Sequence, residues 1–145
     1  MASLLTNAGR LALLVDGTAW TAATYKAALV GPGYTPAVTD SAPSAFAGYE
    51  LSGTGYASGY GGSGRKTLAS KTATNDAQGR TVLDAADLTW TSIDAGTVAY
   101  VAILRETGGT DAASVLLAVL DFPVTTTDGS NLAVTWPAAG VLRFD

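Results

Sequence analysis

Residues 59–67, Gly-Tyr-Gly-Gly-Ser-Gly-Arg-Lys-Thr, come close to a phosphate-cradling loop. Such a loop needs its lysine directly after the last glycine, and Arg65 stands between Gly64 and Lys66. The flanking sequence also lacks the buried strand before and the helix after that would aim backbone amides at a phosphate. The spacing therefore argues against a nucleotide site. The wider stretch 50–64 has six glycines among fifteen residues, interleaved with Tyr56 and Tyr60. Tyrosines give rigid amphipathic contact area and glycines let the backbone bend, so this composition fits an adaptable contact loop.

The remaining chemistry rests on carboxylates and tryptophans. Asp84 and Asp87 are three apart and would share a face on a helical turn. As an acid–base pair, one of them would need burial and a raised pKa. The flanking Ala85, Ala86 and Leu88 do not force that, and an Asp in a turn ordinarily accepts backbone N–H bonds. Asp84 with Asp87, or Asp128 with Ser130 and Asn131, could give oxygen ligands to calcium, but neither has the dense acidic spacing of an EF-hand loop. Trp20, Trp90 and Trp136 could form a sugar-stacking platform. Trp136 shares an alternating face with Leu132 and Val134, and Trp90 follows Leu88 at period two, so both read as core. Trp20 is the least constrained.

Composition narrows the classes. The 145 residues include no cysteine and no histidine, which removes thiolate and imidazole metal sites and every Ser-His or Cys-His catalytic set. Net charge is -4, only 14% of residues are charged, and Arg65-Lys66 is the only adjacent basic pair, so nucleic acid is not an expected partner. A charge-poor, mildly apolar chain suits a protein that works within an assembly. No apolar run reaches the roughly 18 residues of a membrane helix. MASLLTNAGR lacks the basic start of a signal peptide, so the chain is expected to be intracellular when made. No cofactor is expected.

Hydrophobic periodicity supplies the elements. Leu4, Leu5, Ala8, Leu11, Ala12 and Val15 fall at helical spacing, giving a short N-terminal helix or arm over 1–16 that stops at Asp16-Gly17. It would either plug the domain's own core or dock on a neighbouring subunit. Residues 24–30 read as a strand, and 31–64 as a long loop region with three prolines in 31–48. Residues 66–74 alternate weakly, as an exposed edge strand does, with Lys66 and Lys71 discouraging open-ended pairing. Short strands follow at 80–83 and 88–90, around a helical turn or tight loop at 84–87. Residues 98–104 and 115–120 are apolar on both faces and should be buried central strands. Alternating strands at 132–136 and 141–144 close the chain. About eight strands and one helix predict a mainly β, single-domain antiparallel β-sandwich, jelly-roll or immunoglobulin-like.

Several landmarks occur in order: Gly17-Thr-Ala-Trp20, Gly33-Tyr34-Thr35-Pro36, Glu50 to Tyr56, Leu83 to Trp90, Ala99-Tyr100, Glu106-Thr-Gly-Gly, Leu120-Asp121-Phe122 and Val134-Thr-Trp136. Together they resemble a group of small structural proteins of tailed-bacteriophage virions. The resemblance spans nearly the whole chain and carries no catalytic set. It implies a non-enzymatic structural protein localised to the virion (made in the host cytoplasm); with the absent catalytic residue types, the low charge and the long loops, the expectation is a capsid decoration or cementing protein. Its partners would be the major capsid protein and neighbouring virion subunits, with a homo-oligomer in the assembly. Tyr34, Tyr49, Tyr56, Tyr60 and Trp20 are the interface candidates. The alternatives are a tail, neck or fibre-base component, a carbohydrate-binding module, and a hydrolase using Asp84 and Asp87.

Overall fold

The computed structural model describes residues 3–14 and 20–144. The strands are β1 (Ser3–Leu5), β2 (Lys26–Val30), β3 (Lys66–Thr67), β4 (Thr72–Asn75), β5 (Thr81–Asp84), β6 (Leu88–Trp90), β7 (Thr97–Arg105), β8 (Val115–Thr126), β9 (Leu132–Val134) and β10 (Leu142–Phe144), with one helix, α1 (Asn7–Leu14). All their pairings are antiparallel. They build a five-stranded sheet in the order β1-β8-β7-β2-β3, a three-stranded sheet β10-β5-β4 and a two-stranded sheet β6-β9. The fold is mainly β, consistent with a sandwich carrying one short helix.

The central strands β7 and β8 are apolar on both faces because both faces of their sheet are covered. On one face Ala27, Leu29, Val101, Ile103, Leu117 and Leu120 form a core with Leu83, Trp90, Val134 and Leu142 of the smaller sheets. On the other face Ala28, Val30, Ala102, Leu104, Leu116 and Val119 pack against Tyr34 and Phe46 from the segment after β2. The long loop 31–48 is thus a cover. Its 3₁₀ turn, Pro43–Ala45, lies just before Phe46, which is fully buried. A buried side chain of that size contributes about 1.5–3 kcal/mol, enough to hold an irregular segment against the sheet.

The N-terminus departs from the helical pattern. Ser3–Leu5 is a strand on β8, with Leu5 opposite Ala118, and only Asn7–Leu14 is helical. Apolar residues at helical spacing can equally serve as one strand followed by a shorter helix. The junction is fixed by buried Thr6, whose hydroxyl donates to the Leu116 carbonyl at 2.5 Å and accepts the Gly9 amide at 2.8 Å. At Gly9 a Cβ would collide with the Leu117 carbonyl oxygen, so the close approach of α1 to β8 requires glycine there. Of the two helix readings, this matches a helix packed on its own chain. The expected stop at Asp16-Gly17 lies outside the described residues.

Three other expectations change. Residues 66–74 are two strands on different sheets, divided near Ser70, which has a left-handed φ of 52°. Both are edge strands, as the alternation predicts, β3 of the five-stranded sheet and β4 of the three-stranded one. Their lysines are tied back to the chain: Lys66 Nζ lies 5.9 Å from the Trp90 ring centroid, and Lys71 Nζ donates to the Ala23 carbonyl at 2.5 Å. Residues 85–87 are an irregular connection with no helical turn, so Asp84 and Asp87 do not share a helical face. β8 runs through Pro123 to Thr126, because the proline sits in a bulge where no ladder N–H is needed.

Candidate functional site

The chain has few charges, and five of them converge beneath the Gly/Tyr stretch. Arg65, at the end of that stretch, has a fully buried side chain. Its Nε and Nη2 donate to the two Glu50 carboxylate oxygens at 2.9 and 2.7 Å. Nη1 and Nη2 also donate to the two Asp111 oxygens at 2.7 and 3.0 Å, and Nη1 reaches Glu106 at 3.2 Å. All five bonds fit the planar guanidinium fork, which lysine could not reproduce. Lys26 at the start of β2 completes the cluster, 2.7 Å from Glu106. Burial opposes charge on Arg65, but hydrogen bonds from Glu50 and Asp111 outweigh it and push its pKa further up. Burial likewise works against ionised Glu106, but Lys26, the Gly61 amide and Arg65 hold its carboxyl below the usual range.

The same cluster organises the glycine loop. The Gly59 amide donates to Glu50 Oε2 at 3.2 Å, and the Gly61 amide to Glu106 Oε1 at 3.1 Å. The loop therefore does cradle oxyanions, but they are the chain's own carboxylates. No phosphate is needed to satisfy these amides, and Arg65 occupies the place where a cation would balance the acids. Tyr56 hangs inward from the loop. Its hydroxyl donates to Glu50 Oε1 at 3.0 Å and accepts the Leu29 amide at 3.0 Å, tying the loop to β2. Burial and the nearby Glu50 charge push the Tyr56 phenol's pKa up, so it stays neutral. Gly64 is required beneath it: a Cβ there would lie 2.5 Å from the Tyr56 ring.

The five interface candidates divide. Tyr49 and Tyr60 are on the surface, 49% and 41% exposed. Tyr34, Tyr56 and Trp20 are buried and are not available as surface anchors. Tyr34 packs edge-on against Phe46 and donates to Asp40 at 2.5 Å; burial and Asp40 push its pKa up. Trp20 stacks on Tyr25 at 5.1 Å and gives its indole N–H to the Asp84 carbonyl. Each of the three has an apolar body that gains by burial and a polar tip that finds a partner inside. Tyr49 remains linked to this interior, its ring centroid 6.1 Å from that of Tyr34.

The catalytic and metal candidates have local duties. Asp84 accepts the Ala85 amide, and Asp87 accepts the Trp136 amide at 2.9 Å. Asp128 caps its turn through Ser130, whose amide and hydroxyl hold the carboxyl below its usual pKa. Trp90 and Trp136 are core residues, as their alternation predicts, with indole N–H groups bonded to the Gly64 and Ala86 carbonyls. Among the described residues no group of His, Cys, Asp or Glu is arranged to hold a metal ion.

Sequence spacing gives Arg65 no role beyond separating Gly64 from Lys66, and gives Glu50, Glu106 and Asp111 none at all. The partners lie 15, 41 and 46 residues away in sequence, so no local pattern links them. No protein-family model, curated protein or solved structure matches this chain.

Proposed function

We propose that this chain is a non-enzymatic structural component of a tailed-phage virion, a capsid decoration protein that binds and stabilises the shell of the major capsid protein. One observation carries the reading: the Gly/Tyr loop is locked from below by the Arg65 cluster while Tyr60, like Tyr49, stays outside. A loop held in one shape loses little entropy on contact, and tyrosine supplies area at low rotamer cost. Modest contacts repeated by capsid symmetry then add through avidity. The resemblance of the ordered landmarks to those of small virion proteins is consistent with the same reading. So does the charge-poor composition.

The test is capsid melting. Particles carrying the chain should resist heat and chelator better than particles lacking it, and adding the purified chain back should restore resistance. Equal resistance with and without it overturns the stabilising role. A tail, neck or fibre-base position is the second reading, separated by copy number: hundreds per particle for decoration, few for a fibre. The carbohydrate reading loses its platform, since Trp20, Trp90 and Trp136 are each no more than 7% exposed.

A further inference from the structure

The β8 bulge shapes a second surface, away from the Arg65 cluster. Val98 pairs with Thr125 and Tyr100 with Asp121, so residues 122–124 stand opposite Ala99 alone. Bulges of this kind re-aim side chains and recur beside binding sites. Here Phe122 packs against the core while Val124 is 69% exposed, the highest value among the described large hydrophobics. Between the bulge and the segment after β9 lies an open groove of about 740 Å³, lined by Asp121, Phe122 and Pro123 and by Ala133, Thr135 and Pro137, with Trp136.

The chemistry of that lining is narrow. Pro123 and Pro137 have no N–H to offer. Trp136, 7% exposed, spends its amide on Asp87 and its indole N–H on the Ala86 carbonyl and contributes only the floor; half-buried Phe122 and exposed Pro123 and Pro137 supply the accessible rings. No lysine or arginine lines the groove. Asp121 is exposed, and its carboxylate makes no hydrogen bond or ion pair among the described residues. The occupant this lining complements is largely apolar and brings positive charge to the Asp121 end.

We propose that this groove docks an extended, proline-bearing segment of a partner protein, with a lysine or arginine set against Asp121. Polyproline II segments have no internal hydrogen bonds to satisfy, lose little entropy on binding and lodge in grooves lined by aromatic and proline rings. A neutral saccharide fits less well. It needs several polar groups around an open ring face, and only Asp121 and Thr135 offer side-chain polarity here. The proposal stands on the groove alone, whether or not the chain belongs to a virion.

The experiment is an NMR titration of the full-length, isotope-labelled chain with a penta-proline peptide ending in arginine. Amide shifts should cluster at residues 121, 122, 124 and 133–136. Affinity should fall roughly fivefold when glutamate replaces the peptide's arginine, and by a similar factor in Asp121→Asn, the range of one exposed ion pair. Ala133→Trp, at an exposed position, should abolish the shifts while leaving the rest of the spectrum unchanged. Three results overturn the proposal: no shifts at millimolar peptide, equal affinity for the arginine and glutamate peptides, or shifts produced by a neutral oligosaccharide such as maltotetraose and not by the peptide.

Discussion

Replacing Arg65 with methionine removes a side chain of similar reach and leaves three carboxylates without their shared cation. Asp111 and Glu106 keep 18% and 9% side-chain exposure and can partly rehydrate, but Glu50 has 1% and cannot. Glu50 would retain only the Tyr56 hydroxyl at 3.0 Å and the Gly59 amide at 3.2 Å. Stripping one partner from a buried pair costs about 3–5 kcal/mol, against a total stability of roughly 5–15 kcal/mol. For a chain of this length that corresponds to a fall in melting temperature of roughly 10–15 °C. The assay is urea and thermal unfolding of the wild type, Arg65→Met, Glu50→Gln and the double variant. The double variant should be about 0.5–3 kcal/mol less damaged than the sum of the singles, because Glu50→Gln removes the one carboxylate too buried to rehydrate. Hydrogen exchange at Gly59 and Gly61 should also accelerate in Arg65→Met. A loss below about 1 kcal/mol, or strict additivity, would refute the view that this cluster holds the loop.

Four further outcomes are expected. Arg65→Lys should recover little of that loss, because a single ammonium cannot make five directed bonds; unfolding midpoints decide it. Gly64→Ala should cost about 1–3 kcal/mol in urea unfolding, since the Tyr56 ring is pinned at its hydroxyl and cannot move aside. The folded pKa of Glu106 is lowered, so its contribution is complete above the ordinary value of about 4.3 and is lost as pH falls through the folded value; melting across acid pH should show that loss, diminished in Lys26→Met. Tyr34 and Tyr56 have raised folded pKa values, so their contribution is complete below about pH 10 and is lost as pH rises further; in alkaline titration their phenolate absorbance should appear together with unfolding.

The sequence is most legible where a local pattern has one structural solution. The apolar runs that became β7 and β8 could only be central strands, and the alternation of Leu88 with Trp90 and of Leu132 with Val134 fixed their inward faces. Tyrosines in irregular segments gave no such guide. Tyr56 and Tyr60 sit four apart in one glycine-rich loop, yet one is 1% exposed and the other 41%. What separates them is Glu50 waiting beneath Tyr56, a contact set by tertiary folding. The Arg65 cluster was invisible for the same reason: its members come from a loop, a strand start, a strand end and a turn. One clue was present. In a chain this poor in charge, acids and bases standing in irregular segments have few partners, so any that are buried must find one another.

The central claim is that this chain coats a phage head, and reconstruction of purified particles by cryo-electron microscopy with mass-spectrometric counting tests it most directly. The expected result is density for the sandwich on the outer capsid surface, in hundreds of copies, with Tyr49 and Tyr60 against the shell. Density confined to the tail, or absence of the chain from particles, would contradict it.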